Sequence, residues 1–570
     1  MIVLPLALAS LFPFAFSPDA PTGVADFSAL LDAPAGRHGF VRCEDERFVT
    51  DAGPIRFNGV NLTGAANFPS HATADRLAAR LAALGINCVR LHYLDCAYDN
   101  FKQGPERPLV VRLNTTAFRI DPERLEKLDY LVAALKRRGI YVNLNLRVAR
   151  DERQKGASYL DEGLIATQKD YARQILRHVN PYTKLAYADD PAVALVEITN
   201  EDSPMKVFVE PIRWPVPEYT RFMLGYEKRF NAEMVRFLKE EVGVRAPITG
   251  TQLGYDAVYS MEAHDYFDDH AYWDHPEPDP KRGWRFWKMS GRAMVEEPVT
   301  NALTQLAARR PLGRPYTVSE YNHPFPNPYG AEGALLAHAF AAREAWNGFF
   351  LYSWDNREDR EPACVDYFFS LAARTDVLAH LPACAALFLR GDLPAARKTL
   401  GPLPTETEWI ALVATNAVPM QAYATRPVPR YDFSSAPLDW RDGRAIVSTP
   451  TAKFFTGFVR GRTFDLGDGV RLSFGPTDLD WATVSLVRNR GGWLVAVTGR
   501  AMNSGVERPV GKDWGTAPYL VEGVVAKVTV PDAVRAWALD GRGARQAEVP
   551  LVKGVLETGP DWRTVWYEVR

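Results

Sequence analysis

Between about residues 55 and 356, short apolar runs rich in Val, Ile, Leu and aromatic residues alternate with stretches whose apolar positions recur every three to four residues. Runs without a polar face suit strands covered on both sides, and helical stretches between them let successive strands run parallel. The runs are Phe57 to Leu62, Asn87 to Leu94, Ile140 to Leu146, Ala194 to Glu201, Pro247 to Gln252, Asp265 to Trp273, Tyr316 to Tyr321 and Gly348 to Asp355. Eight of them in about 300 residues predict an α/β fold, a closed (β/α)8 TIM barrel.

The segments between them read as helices. Ala74 to Leu84 is amphipathic and stops at Gly85; Pro122 to Arg138 starts after Asp121 as N-cap and stops at Gly139; about Ala331 to Trp346 leads into the eighth strand. Ser203 to Val244, after the fourth strand, holds Pro204, Pro211, Pro215 and Pro217 ahead of its helix, which predicts a loop over the barrel mouth. Beyond about residue 392 the period shortens to two. Turn signals at Asp442-Gly443, Gly467-Asp468-Gly469 and Asn489 to Gly492 separate runs such as Val484 to Val487, Trp493 to Val497 and Val524 to Val530. That pattern predicts a C-terminal antiparallel β-sandwich, with a proline-rich, partly helical bridge over about 393 to 430. The expected organisation is a signal segment over 1–17, a barrel with an N-terminal extension over 18–392, and linker plus sandwich over 393–570.

Composition changes this picture little. With 67 Lys+Arg against 69 Asp+Glu, a net charge of −2 gives no reason to expect nucleic acid or an anionic membrane as partner. The 14 Trp, 23 Tyr and 29 Phe exceed what core filling needs, and sugar faces are one use for such rings. Cys43, Cys88, Cys96, Cys364 and Cys384 show no zinc spacing, and an odd count cannot all pair within the chain, so buried free thiols are expected. An apolar run from Ile2 to Phe16, broken by Pro5 and Pro13, is too short to span a bilayer; it has the character of an export signal without a basic start, which points to a secreted or periplasmic protein.

In a parallel barrel the chemistry lies at the C-terminal strand ends, so polar residues closing an apolar run are the candidates. The fourth strand closes as Val196-Glu197-Ile198-Thr199-Asn200-Glu201 and the seventh as Ser319-Glu320-Tyr321-Asn322. Carboxylates on opposite sides of one mouth suit glycosidic cleavage, in which one protonates the leaving oxygen and the other attacks the anomeric carbon. Glu197 shares strand parity with Glu201 and is either a buried structural acid or a modulator of the site.

With these pieces the chain resembles clan A of the retaining glycoside hydrolases, the cellulase-like, family 5-like (β/α)8 enzymes, over about residues 50 to 360. Arg90 in Val89-Arg90-Leu91-His92, His270 and Tyr272 in His270-Ala271-Tyr272, and Trp354 match the family's second-, sixth- and eighth-strand positions. The resemblance implies Glu201 as acid/base and Glu320 as nucleophile. It also implies Asn200 on the sugar 2-hydroxyl, Arg90 and Tyr272 supporting the nucleophile, and Trp354 as a sugar platform, with His92 and His270 in the same substrate-binding set. Glu201, less solvated and crowded by charge, would hold its proton. Many relatives carry a histidine at the end of strand three, where this chain has Asn143-Leu144-Asn145-Leu146-Arg147; Asn145 is the candidate for that subsite.

No cofactor and no metal are implied. His264, Asp265, Asp268, Asp269, His270, Asp274 and His275 crowd twelve positions, but the first strand lacks a His-x-His; alternation could aim His270 and Tyr272 inward and leave the acids in the loop. Trp214, Trp273, Trp284, Trp287, Tyr321 and Phe325 near strand ends are sugar platforms or core, and Gly283 offers a helix start before Trp284. The expected function is a retaining β-glycoside hydrolase acting on an oligo- or polysaccharide. A transglycosylase would use the same residues, and a non-catalytic carbohydrate-binding protein on a decayed barrel is the alternative that the presence of both glutamates opposes.

Overall fold

The computed structural model describes residues 10–95, 109–112, 118–148, 155–209, 217–255, 257–396, 401–414, 431–435, 437–506 and 513–570. Cys96, Trp214, Pro211 and Pro215 lie outside them. All eight expected barrel strands form: β1 (Phe57–Thr63), β2 (Cys88–His92), β3 (Tyr141–Asn145), β4 (Val193–Glu197), β5 (Ile248–Thr249), β6 (Phe267–Tyr272), β7 (Tyr316–Asn322) and β8 (Gly348–Leu351). They pair in parallel in the order β5-β4-β3-β2-β1-β8-β7-β6. The seam between the short β5 and β6 is bridged by single bonds, Asp265 N to Ile248 O at 2.8 Å and Leu253 N to Asp268 O at 2.8 Å, so the barrel is nearly closed.

Helix α1 (His71–Ala83) begins at Ser70, whose side chain accepts from Thr73 N, and α2 (Pro122–Arg137) begins at Asp121, which accepts from Glu123 N and Arg124 N. Both end at the expected glycines: Gly85 and Gly139 have φ of +77° and +80°, a left-handed conformation that stops a helix cheaply only without a side chain.

The barrel interior is layered. At the base, Phe57, Cys88, Tyr141, Leu195, Tyr266 and Phe350 form an apolar plug. Phe48, from a three-stranded sheet over residues 42–55, closes it from below, 5.6 Å from Phe57 and 5.5 Å from Tyr266 between ring centroids. Gly59 makes room for this plug, since a Cβ there would lie 2.1 Å from Phe350 Cδ1. Above it sits a polar layer of Asn61, Arg90, Asn143, Glu197 and Asp268, each at most 1% exposed. Such a layer holds only if every charge is paired, and its pairing aims the residues above it.

The C-terminal part is the expected sandwich, a nine-stranded antiparallel sheet facing a five-stranded one. Along Gly492–Thr498, Trp493, Val495 and Val497 face the second sheet, whereas Leu494 and Ala496 face the barrel, so the large sheet is buried on both sides. Helix Leu381–Phe388, buried along its whole length, lies in the joint. Around it Trp566 Nε1 donates to Ala379 O at 2.9 Å, His380 meets Ser485 and Thr498 at 2.8 Å each, and Asp376 accepts from Tyr519 and pairs with buried Arg374. The bridging segment is no free tether, because Trp409 and Ile410 of helix Glu406–Ala414 pack against Met223 and Leu224 of helix Pro217–Arg236. A chain ending near residue 392 is therefore expected to be insoluble, or to melt more than about 10 °C lower, because it bares a large apolar joint. Thermal melting and sedimentation check this; full activity with unchanged melting would contradict it.

The segment expected as an export signal is described from Ser10 onward, and that part is built into the fold. Leu11–Pro13 pairs antiparallel with Thr516–Glu522, Phe12 and Phe14 are buried, and Phe16 packs 4.4 Å from Trp566. Among the described residues no helix is long and apolar enough to cross a membrane. Cys43, Cys88, Cys364 and Cys384 are free thiols, the second and fourth buried as expected and the other two half-buried.

Candidate active site

Arg90, projecting inward from β2, organises the polar layer. Its Nε and Nη2 make a two-pronged pair with Glu197 at 2.8 and 2.7 Å; Nη1 donates to Glu320 Oε1 at 2.6 Å and to Asn61 at 3.1 Å, and Nη2 also reaches Asn200 Oδ1 at 2.7 Å. Glu197 is thus the structural acid of the two readings. Burial would raise its carboxyl, but Arg90 and the amide donors hold it below its ordinary value. Asn143 and Asn145 donate to its two oxygens at 2.5 and 2.6 Å. Asn145, expected in a sugar subsite, is committed to Glu197 below the cavity, because strand alternation turns both asparagines inward at the level of β4's last residue.

Glu320 stands above Arg90 on β7. Its second oxygen accepts from Tyr272 OH at 2.5 Å, and His92 Nε2 lies 3.5 Å from the first. Burial and the Arg90 cation keep His92 well below the usual histidine range, hence neutral. Its Nδ1 is buried and has no partner among the described residues.

Glu201 lies just beyond β4 with φ +47°, a left-handed conformation costly for a residue with a side chain. Its neighbours keep it there. Asn200 N donates to Arg147 O at 2.8 Å, Glu201 N to Gln252 Oε1 at 2.8 Å, and Asp202 forms a buried pair with Arg147 at 2.5 Å. The Glu201 carboxyl meets His270 Nδ1 at 2.8 Å, and one donor atom each from Glu201, His270 and Glu320 lie within 4.8 Å of one another.

The protonation differs from the sequence expectation. Burial pushes Glu201 up, but the hydrogen bond and charge of His270 outweigh it and bring the carboxyl down to about 2. Burial lowers His270, yet Glu320 and Glu201 raise it to about 9. These opposite shifts favour the shared proton on His270 over Glu201, because two carboxylates stabilise one imidazolium.

A cavity of about 950 Å³ opens above these groups, lined among others by His92, Asn200, Glu201, Tyr272 and Glu320. Trp354 is not in its wall. The strand ends at Leu351 and the chain turns, so Tyr352 faces the cavity while Trp354 is 5% exposed, in the core beneath the Arg80 guanidinium. Tyr352 and Phe369 form the aromatic wall, in ring contact with Tyr272. Trp273, Tyr321 and Phe325 are core.

Gly283 starts a strand, not a helix: Glu277–Asp279 and Gly283–Lys288 form a hairpin beside the cavity, its base pinned where Asp274 accepts from Ser290 N and Gly291 N at 2.8 Å each. Trp287 on this hairpin stacks against Trp514 of the C-terminal part at 5.7 Å, so that part buttresses one wall. This loop after β6 reaches the cavity, while residues 210–216 of the segment after β4 lie outside the described residues. The segment after β4 packs Met205 and Val209 against the bridging helix. Asp268 is not a loop acid either; it is fully buried in the barrel, bonded to Thr317 and Ser319 at 2.5 Å each. Tyr255, Tyr352, Phe369 and His275 at the cavity escape strand-end reasoning because each follows the last paired residue of its strand.

No protein-family model matches the chain, and no curated protein matches it. Solved structures that resemble it include an endo-1,4-beta-mannanase from Rhizomucor miehei, at 14% identity over 62% of this chain and 100% of that one, TM-score 0.44. An endo-beta-1,4-mannanase from Thermotoga petrophila is 13% identical over 78% of this chain and 95% of that one, TM-score 0.42. A GH5 cellulase from an Icelandic hot spring isolate is 14% identical over 65% of this chain and 100% of that one, TM-score 0.40.

Proposed function

We propose that this protein is a retaining β-glycoside hydrolase acting on an oligo- or polysaccharide, with Glu320 as nucleophile and Glu201 as acid/base. Arg90 and Tyr272 hold the Glu320 carboxylate at the cavity, leaving it to attack the anomeric carbon while Glu201 protonates the departing oxygen. The resulting glycosyl ester is then opened by a water that Glu201 deprotonates. Asn200, fixed by Arg90 through its oxygen, turns its amide N–H toward the sugar. No step calls for a cofactor.

The observation that carries this reading is the separation of the two carboxyls. One oxygen of each comes within 4.8 Å of the other, a close approach that supports direct displacement, with carboxyl groups roughly 5 to 5.5 Å apart, over the roughly 6.5 to 9.5 Å spacing that admits a water. The product is accordingly expected to keep its anomeric configuration. Proton NMR during the first minutes of hydrolysis reads the first-formed anomer, and an inverted one would remove Glu320 from the nucleophile's role.

A further inference from the structure

Behind Glu201 the hydrogen bonds continue. His270 Nδ1 meets Glu201 Oε1 and its Nε2 meets Ser319 Oγ, each at 2.8 Å; Ser319 donates to Asp268 Oδ2 at 2.5 Å. Gln252 Nε2 donates to the same Asp268 oxygen at 3.2 Å, while Gln252 Oε1 accepts from Glu201 N at 2.8 Å. The five links close a ring that begins and ends on Glu201. We propose that His270 relays a proton to and from Glu201 while Ser319 and Asp268 hold it in place, Asp268 being a positioning residue that sets the alkaline limit of activity. The proposal rests on the reading of Glu201 as acid/base.

The direction of the chain follows from counting hydrogens. Ser319 has one to give, and while Asp268 is ionised it goes to Oδ2; Ser319 must then accept from His270 Nε2–H. Nε2 keeps its hydrogen, so the only one His270 can release sits on Nδ1, which faces Glu201. Transfer breaks the Nδ1–H bond and forms an O–H bond on Glu201, turning imidazolium and carboxylate into imidazole and carboxylic acid with no change in net charge. Glu201 passes this proton to the leaving oxygen. In the second step it takes one from the attacking water, and the proton returns to Nδ1.

Several groups face His270 from the elements around it. Glu201 and Glu320, whose Oε2 is 3.7 Å from Nδ1, favour the imidazolium, as do Glu197 across the barrel and Asp268, 3.7 Å from Nε2. Arg90 from β2 opposes it, and His92 beside it is neutral. Lys155 and Tyr255 act on Glu201, and Arg309 Nη2 donates to His270 O at 3.3 Å while pairing with Asp269. Tyr272 is committed to Glu320. Glu201 is the stronger acid here and Asp268 the weaker, burial and the Glu197 charge raising it to about 6, so it is ionised at the pH where His270 titrates.

The test is the pH dependence of kcat/KM on phenyl and 2,4-dinitrophenyl β-glycosides of glucose, mannose, galactose and xylose, using whichever pair turns over fastest. Removing a nearby negative charge lowers the imidazolium pKa, so Asp268→Asn should move the alkaline limb down by roughly one pH unit on the phenyl glycoside. The dinitrophenyl limb should stay in place, since that leaving group needs no acid. Ser319→Ala should shift the phenyl limb in the same direction, and Ser319→Thr, which keeps the hydroxyl, should restore it. A merely structural role would lower the melting temperature and both rates alike. If Asp268→Asn does not fold, the Ser319 pair decides. Unmoved limbs in the variants that fold, with Glu201→Ala still sensitive to the leaving group, would overturn the relay alone. Loss of that sensitivity would overturn the acid/base reading instead.

Discussion

Glu320→Ala is expected to lose activity on every glycoside, whatever its leaving group, by roughly 10⁴- to 10⁶-fold, the scale of deleting an enzymic nucleophile. The loss should not come from unfolding. Arg90, which sheds one partner, keeps its two-pronged pair with Glu197 and its bond to Asn61, so no buried charge is orphaned. Circular dichroism and melting should stay near wild type while kcat collapses. The vacated space also offers a positive signature. With a dinitrophenyl β-glycoside, azide can enter where the carboxylate stood and attack the anomeric carbon from that face, yielding an α-glycosyl azide, the inverted product. Residual activity above about a hundredth of wild type, or an azide product of retained configuration, would place the nucleophile elsewhere.

The barrel was legible because its strands are buried on both faces and their runs stand out against amphipathic helices that stop at Gly85 and Gly139. Glu201 and Glu320 stand out as candidates for a related reason: a carboxylate ending an apolar run has few structural uses. Strand parity also carried Glu197, though it could not tell a structural acid from a modulator, which depends on Arg90 reaching across from β2. Parity fails where strands end. Tyr352 and Trp354 stand in the same phase, yet the chain turns after Leu351 and exchanges the expected platform for the smaller ring. The protonation of Glu201 was out of reach for a deeper reason, since it is set by a distance between β6 and the end of β4 rather than by any local pattern. The hairpin after β6 was hidden likewise, because its support, Trp514, comes from the other end of the chain.

The two glutamates are separated best by what the loss of each leaves running. Glu201→Ala should cripple cleavage of an alkyl or phenyl glycoside by about 10²–10⁴-fold, because a poor alkoxide leaving group must be protonated as it departs. A dinitrophenolate leaves unaided, so on that substrate Glu320 should still form the glycosyl-enzyme quickly. The second step then stalls. With no base to activate water the ester accumulates, and the trace should show a burst of dinitrophenolate equal to the enzyme concentration, then slow turnover. Azide needs no base and should raise the steady rate; it attacks the ester from the face opposite Glu320, so the product is the β-glycosyl azide, of retained configuration. The opposite azide stereochemistry of the two variants assigns each carboxyl to its own side of the sugar. His270, relieved of Glu201, loses one of the two carboxylates that hold it protonated, and its imidazolium should titrate at lower pH in this variant. If Glu201→Ala is instead equally dead on both leaving groups, with no burst and no azide rescue, Glu201 is not the acid/base, and the proton on His270 serves some other acceptor.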